Sequence, residues 1–180
     1  MSFYDKNKDI IWFLGKLSLL CGFYFLWFKT NVWTIPVVST LYGYFIHYTL
    51  VYLIEPSVWI LNLIGFESEV VRLREIDLYD TEFNIHVKNY CLGVDMFYTL
   101  TALIISFPGK WIERIWFIPL GLLGIHLINI LRIVGLCMGW ARWGTDGPID
   151  HHDVYNVVAV TFIFLMFVMW VNRYKKEPAR

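Results

Sequence analysis

The chain has 180 residues, of which 58% are hydrophobic and 17% charged, and its formal net charge is zero. Ordinary globular chains carry about 25% charged residues, so this composition indicates an integral membrane protein. A neutral chain offers no basic surface for nucleic acid, and three scattered cysteines do not fit a disulfide scaffold or a structural zinc site. We expect a single membrane domain over residues 1–180, without a metal or cofactor.

Five apolar stretches are predicted to cross the membrane, because a spanning helix needs about 20 mostly apolar residues. They are residues 10–28, 35–54, 92–107, 115 to about 140, and 153–171. A further apolar segment, residues 56–66, is too short to cross by itself and is expected at the membrane interface or packed on the bundle. The fold class predicted is therefore an all-α membrane protein, a polytopic bundle of about five to six transmembrane helices.

Lysines and arginines predict the orientation of the bundle, since they are enriched in cytoplasmic loops. The basic tail 172–180 and the hairpin with Lys110 and Arg114 are expected in the cytoplasm, and the acidic loops 55–90 and 141–152 outside. Five crossings would place the N-terminus outside, whereas Lys6 and Lys8 favour the opposite. The side on which the N-terminus lies is therefore left open.

The extracytoplasmic loop, residues 67–90, has a pattern of its own. Apolar and polar residues alternate in VRLREIDLY (71–79) and in FNIHVKNY (83–90), on either side of the polar turn 80–82. Alternation with a period of two across a polar turn predicts a small β-hairpin, with an irregular loop as the alternative. The second strand leads directly to Cys91, which is predicted to open the next helix.

One arginine lies within an apolar helix. Placing Arg132 in the hydrocarbon core costs at least about 2.5–3.5 kcal/mol, so it should face the bundle interior and have a partner. The alternative is a helix that ends near Gly135 and lets Arg132 reach the surface. Asn129 precedes Arg132 by three residues and shares its helical face. His126, a further turn away, is interpreted as an interhelical hydrogen-bond partner.

Cys91 differs from the other two cysteines. At the start of a helix, free backbone N–H groups and the helix dipole favour a thiolate. Cys21 and Cys137 lie inside apolar helices, where cysteine is usually an inert small hydrophobe. Asp95, one turn beyond Cys91, could hold Arg132, orient a histidine or face a wet cavity.

The segment GTDGPIDHHDVYN places His151 and His152 at the start of the last helix, with Asp153 directly after them. A neighbouring carboxylate can orient an imidazole, although two surface histidines without a role remain the alternative. Cys91, Arg132 and His152 come from three helices and all fall in the outer third of the membrane. A thiol, a base and a fixed cation are the groups that acyl transfer by a cysteine nucleophile requires.

Three ordered motifs carry a resemblance over about residues 87–171. CLGVD opens one helix, NILRI lies in the next and HDVYN opens the last, and this set resembles the exosortase/archaeosortase family. The resemblance implies a multi-spanning membrane enzyme that acts as a cysteine transpeptidase on C-terminal sorting signals. The chain departs from the family pattern at Leu92, where many members have serine, and at Asn156, where glycine is frequent.

The resemblance also implies a role for each residue. Cys91 would be the nucleophile and His152 the general base, which Asp153 favours over His151. Arg132 would stabilise the developing negative charge or hold the substrate carbonyl, and Asn129 would position it. Gly93 would let the substrate backbone approach the nucleophile.

The implied setting is the cytoplasmic membrane of a prokaryote, with the active site on the extracytoplasmic side. The expected partners are substrate proteins with a C-terminal motif, transmembrane helix and basic tail, together with membrane lipids and a lipid or glycan acceptor. Two other classes stay open: a non-catalytic membrane scaffold or accessory subunit, and a b-type haem protein that uses His47 and His126.

Overall fold

The computed structural model describes residues 3–29, 35–79, 84–143 and 151–176. These residues form five α-helices, a three-stranded sheet and one 3-10 turn. The helices are α1 (Phe3–Lys29), α2 (Pro36–Leu63), α3 (Val94–Ser106), α4 (Trp111–Trp143) and α5 (His151–Lys176). The strands are β1 (Ser68–Arg72), β2 (Glu75–Leu78) and β3 (Asn84–His86), and the 3-10 turn is Asn89–Leu92.

Four of the described helices are long and apolar enough to cross a membrane: α1, α2, α4 and α5. The fifth, α3, is apolar but has only 13 residues. At 1.5 Å per residue it reaches about 20 Å, against a hydrocarbon core of about 30 Å. The predicted helical membrane protein is confirmed, with a short α3 between the full-length helices.

Helix α2 is longer than the sequence suggested. We predicted a helix ending at residue 54 and a separate apolar segment over residues 56–66, but α2 continues through Pro56 to Leu63. Proline has no N–H, so it leaves the carbonyl of Tyr52, four residues earlier, without its helical donor. His126 of α4 donates from Nε2 to this carbonyl over 3.1 Å. Neighbouring helices that supply such donors make an internal proline tolerable in a membrane helix.

The segment between α2 and α3 contains three antiparallel strands in the order β1-β2-β3. The predicted hairpin between the two alternating segments is present as the β2–β3 pair, in which Ile76 lies opposite Ile85. Its turn, residues 80–82, lies outside the described residues. The first segment was wrong as a single strand, because it turns back at residues 73–74 and pairs with itself as β1 and β2.

The side chain of Asn62 attaches this sheet to the end of α2. Its Nδ2 donates to the carbonyl of Ser68, and its Oδ1 accepts from the Ser68 backbone N–H, both over 2.9 Å. The two bonds satisfy the outward-facing backbone groups of the first residue of β1. The sheet therefore lies next to the C-terminal end of α2 and leads into the 3-10 turn.

Two apolar clusters hold the bundle together, and α4 contributes to both. The first joins α2, the sheet and the second half of α4, and includes Ile54, Ile76 and Ile133. The second joins α3, the first half of α4 and α5, and includes Leu100 and Trp170. Between the parts of α4 that serve the two clusters lie two polar residues, His126 and Asn129.

The end of the bundle opposite the sheet is tied by charged side chains. Arg173 of α5 pairs with Glu113 of α4 over 2.9 Å. Arg114, which is buried, donates to the carbonyl of Phe107 at the end of α3 over 2.8 Å. The α3–α4 hairpin and the end of α5 therefore lie at the same end of the bundle.

Candidate active site

Cys91 lies in the 3-10 turn that leads from the sheet into the bundle. Its backbone N–H donates to the carbonyl of Lys88 over 2.9 Å, and its side chain is buried, with 6% exposed. The prediction that Cys91 opens a helix was wrong, because α3 begins only at Val94. The reason is Gly93, whose left-handed conformation separates the 3-10 turn from the helix. Cys91 is therefore placed by a tight turn packed in the core, not by the first turn of α3.

Gly93 brings this turn into close contact with α4 and α5. It has a φ of +70°, and a Cβ built there would lie 2.5 Å from Asn129 Nδ2 and 3.5 Å from the Tyr155 hydroxyl. A residue with a side chain would thus be strained in its backbone and would overlap the asparagine. Glycine at this position lets Asn129 pack against the turn, and its expected role beside a substrate backbone stays a prediction.

Asn129 and Arg132 share one face of α4, as their spacing predicted, and both are buried. Asn129 is 0% exposed and Arg132 is 9% exposed. The guanidinium Cζ of Arg132 lies 4.2 Å from the ring centroid of Tyr155 on α5, a cation–π contact. Arg132 therefore faces the bundle interior with an aromatic partner, and α4 continues well past Gly135.

Tyr155 was not among the predicted site residues. It is buried, and the structure places its ring beside Arg132 and its hydroxyl near Gly93. The signal was available in HDVYN, where the tyrosine follows His152 by three residues on the same helix. It was not recognised because a membrane tyrosine is ordinarily interpreted as an interfacial anchor.

Asp95 does not take the role of an interior partner for the arginine. Its side chain is exposed, and it accepts a hydrogen bond from the hydroxyl of Tyr24 on α1. A second tyrosine joins the same helices, since the Tyr98 hydroxyl donates to the carbonyl of Leu20 over 2.6 Å. In the described structure Asp95 thus connects α1 to the first turn of α3, where a carboxylate also suits the helix dipole.

The backbones of His151, His152 and Asp153 form the start of α5, about one turn before Tyr155. Their side chains lie outside the part of the structure that is described, and so do residues 144–150 before them. The start of the last helix was predicted to fall on this segment. The two histidines therefore lie at the same end of α5 as Tyr155.

A comparison with protein families gives a match to the transmembrane exosortase model (Exosortase_EpsH) over residues 10–171. The chain belongs to the transmembrane exosortase family. No curated protein and no solved structure matches it. The match spans the 3-10 turn, α3, α4 and most of α5, so every residue of the site described above falls inside the exosortase region.

A groove between α4 and α5 connects the candidate site with the outer surface of the bundle. It has a volume of about 360 Å³, and its lining is apolar apart from Arg132 and the tyrosine. The lining residues are Ile128, Leu131, Arg132, Gly135, Leu136, Val154, Tyr155 and Val158. Because Leu131 and Val154 are more than half exposed, the groove connects the outer surface of these helices with the buried guanidinium.

His47 and His126, which were considered as haem ligands, make contacts with neighbouring residues of the protein. His47 is exposed on α2 and packs edge-on against its neighbour Tyr48. His126 holds the Tyr52 carbonyl, and since a carbonyl only accepts, Nε2 of His126 carries the proton. The prediction that His126 is an interhelical hydrogen-bond partner is therefore confirmed.

Proposed function

We propose that this exosortase-family chain is a membrane cysteine transpeptidase that cleaves C-terminal sorting signals of membrane-anchored proteins. The observation that carries the proposal is the convergence of three elements on one point. The turn with Cys91 and Gly93 is pressed against Asn129 of α4 and Tyr155 of α5, with Arg132 stacked on the tyrosine. A nucleophile, polar side chains and a fixed positive charge thus meet inside the bundle.

The proposed reaction begins with transfer of the Cys91 thiol proton to the imidazole of His152. The thiolate attacks the carbonyl carbon of the scissile peptide, forming an S–C bond and moving the carbonyl electron pair onto oxygen. Arg132, as the buried cation of the site, stabilises this oxyanion. When the intermediate collapses, the C–N bond breaks, His152 returns the proton to the leaving amine, and a thioester remains on Cys91.

A second nucleophile completes the proposed reaction. A lipid or glycan amine or hydroxyl, or water, attacks the thioester carbonyl while His152 accepts its proton. The S–C bond then breaks, and the proton returns to the Cys91 sulfur. The acceptor fixes the outcome, since an amine or hydroxyl gives an anchored product and water gives simple cleavage.

The short α3 supports a site within the outer part of the membrane. With the α3–α4 hairpin at one membrane surface, a helix of about 20 Å ends well inside the opposite one. The turn with Cys91 therefore enters the bundle below that surface. In the proposed orientation this surface is extracytoplasmic, and the membrane is the cytoplasmic membrane of a prokaryote. Substrates would carry a recognition motif, a transmembrane helix and a basic tail, so that the motif reaches this depth.

Replacement of the cysteines tests the proposal. Cys91→Ala and Cys91→Ser are compared with replacement of the other two cysteines: Cys137→Ala, at a position that is also buried, and Cys21→Ala, at an exposed one. The readout is retention of the C-terminal tail on a co-expressed membrane protein with a C-terminal helix and basic tail. We expect loss of processing only in the two Cys91 variants, at normal protein levels. Unchanged processing in both would contradict the proposal and favour a non-catalytic scaffold.

A further inference from the structure

Three buried polar atoms at the site have no hydrogen-bond partner in the described part of the chain. They are Nδ2 and Oδ1 of Asn129 and the hydroxyl of Tyr155. The Asn129 side chain is fully buried, and Tyr155 is 6% exposed. Buried polar groups are nearly always hydrogen-bonded, because leaving them without a partner destabilises a fold. A concentration of such atoms at one point therefore needs an explanation other than stability.

Two of these atoms lie beside Gly93, the residue that follows the nucleophile by two positions. Asn129 Nδ2 and the Tyr155 hydroxyl both lie around the point where a Cβ of Gly93 would be. One comes from α4 and the other from α5, and both can donate a hydrogen bond. The groove between these helices reaches the tyrosine and so supplies a route by which a substrate segment can approach.

We propose that the Asn129 amide and the Tyr155 hydroxyl form the oxyanion hole of the enzyme, an inference that rests on the proposed function. As the Cys91 thiolate forms its bond to the carbonyl carbon, the electron pair moves to the carbonyl oxygen. That oxygen accepts hydrogen bonds from Nδ2 of Asn129 and from the hydroxyl of Tyr155. The charge of Arg132, held against the tyrosine ring, lies behind these two donors.

This assignment gives Tyr155 two separable contributions. Its ring holds the guanidinium of Arg132, and its hydroxyl contacts the reacting oxygen. Tyr155→Phe keeps the ring and removes only the hydroxyl, whereas Asn129→Leu replaces the amide with an apolar group of similar size. The Asn129 amide makes no hydrogen bond to the described residues, so Asn129→Leu removes no such bond, and Tyr155→Phe leaves the ring in place against Arg132.

The test measures peptide cleavage by purified wild-type and variant full-length protein in detergent, together with the melting temperature. For Tyr155→Phe and Asn129→Leu we expect kcat to fall by about 100- to 1,000-fold, with KM and the melting temperature nearly unchanged. Ser106→Ala is the matched control, because its hydroxyl is also buried and without a partner but lies at the far end of α3. It should keep full activity.

A second control separates catalysis from structure. Tyr98→Phe removes a hydroxyl that does make a hydrogen bond, to Leu20, so it should lower the melting temperature and leave kcat unchanged. Wild-type kcat in both Tyr155→Phe and Asn129→Leu would overturn the oxyanion hole, and so would a loss of kcat that parallels a loss of melting temperature. Cleavage that persists in Cys91→Ala would instead overturn the proposed function itself.

Discussion

His126 of α4 donates a hydrogen bond to the backbone carbonyl of Tyr52 in α2, over 3.1 Å. Pro56 deprives that carbonyl of its helical donor, so one side chain repairs a defect in another helix. The bond also fixes α4 relative to α2 only three residues before Asn129. A structural hydrogen bond of this kind thus supports the position from which the polar residues of the site extend.

This relationship predicts a coupling between His126 and Pro56. His126→Ala should lower the free energy of unfolding by about 1–3 kcal/mol, because the Tyr52 carbonyl loses its partner. In a Pro56→Ala background the new N–H can bond that carbonyl, so the same replacement should cost much less. Denaturation of the four proteins in detergent gives the coupling, with His47→Ala on the exposed face of α2 as a control. An equal loss of unfolding free energy on His126→Ala in both backgrounds would show that His126 does not compensate for Pro56.

Replacing Gly93 and Gly65 with alanine separates the effect of backbone strain from the effect of steric overlap with a neighbouring side chain. Both have positive φ, but a Cβ at Gly65 has nothing within 4 Å, whereas a Cβ at Gly93 would meet Asn129 Nδ2 at 2.5 Å. Gly65→Ala should cost about 1 kcal/mol of stability and leave cleavage intact. Gly93→Ala should cost roughly 1–3 kcal/mol more and reduce cleavage at least tenfold, because Asn129 or the Cys91 turn must move.

The measurements for this pair are melting temperature and substrate processing at equal protein levels. A Gly93→Ala variant that behaves like Gly65→Ala in both assays would contradict the close packing of the Cys91 turn against α4.

Arg132 and Arg114 are buried arginines at different levels of α4, and they should respond differently to lysine. Lysine keeps the charge but lacks the planar guanidinium that stacks on Tyr155, so Arg132→Lys should slow cleavage by about 100-fold. Arg114→Lys weakens the bond to the Phe107 carbonyl and should lower stability without a comparable effect on turnover. Cleavage rates corrected for folded protein decide the point, and equal losses of turnover would argue against a special role for Arg132.

The sequence predicted the features that depend on hydrophobicity and spacing. Apolar stretches located the long helices, and a spacing of three placed Asn129 and Arg132 on one buried face. The prediction from sequence failed where a residue distant in the chain determines the local structure. Pro56 suggested that a helix ends there. The helix continues because His126, which lies 70 residues away in the chain, supplies the missing hydrogen-bond donor. The contact of Tyr155 with Arg132 likewise depends on how α4 and α5 pack, which periodicity does not encode.

The identity of the base remains to be tested between His151 and His152, both at the start of α5. We predict that His152→Ala reduces cleavage by at least 100-fold, because a general base contributes about 100- to 10,000-fold. His151→Ala should stay within a few-fold of wild type. Since a histidine base acts as a neutral imidazole, added imidazole should partly restore cleavage by His152→Ala and should not affect Cys91→Ala. Cleavage rates with and without imidazole test this, and the opposite order of the two variants would assign the base to His151.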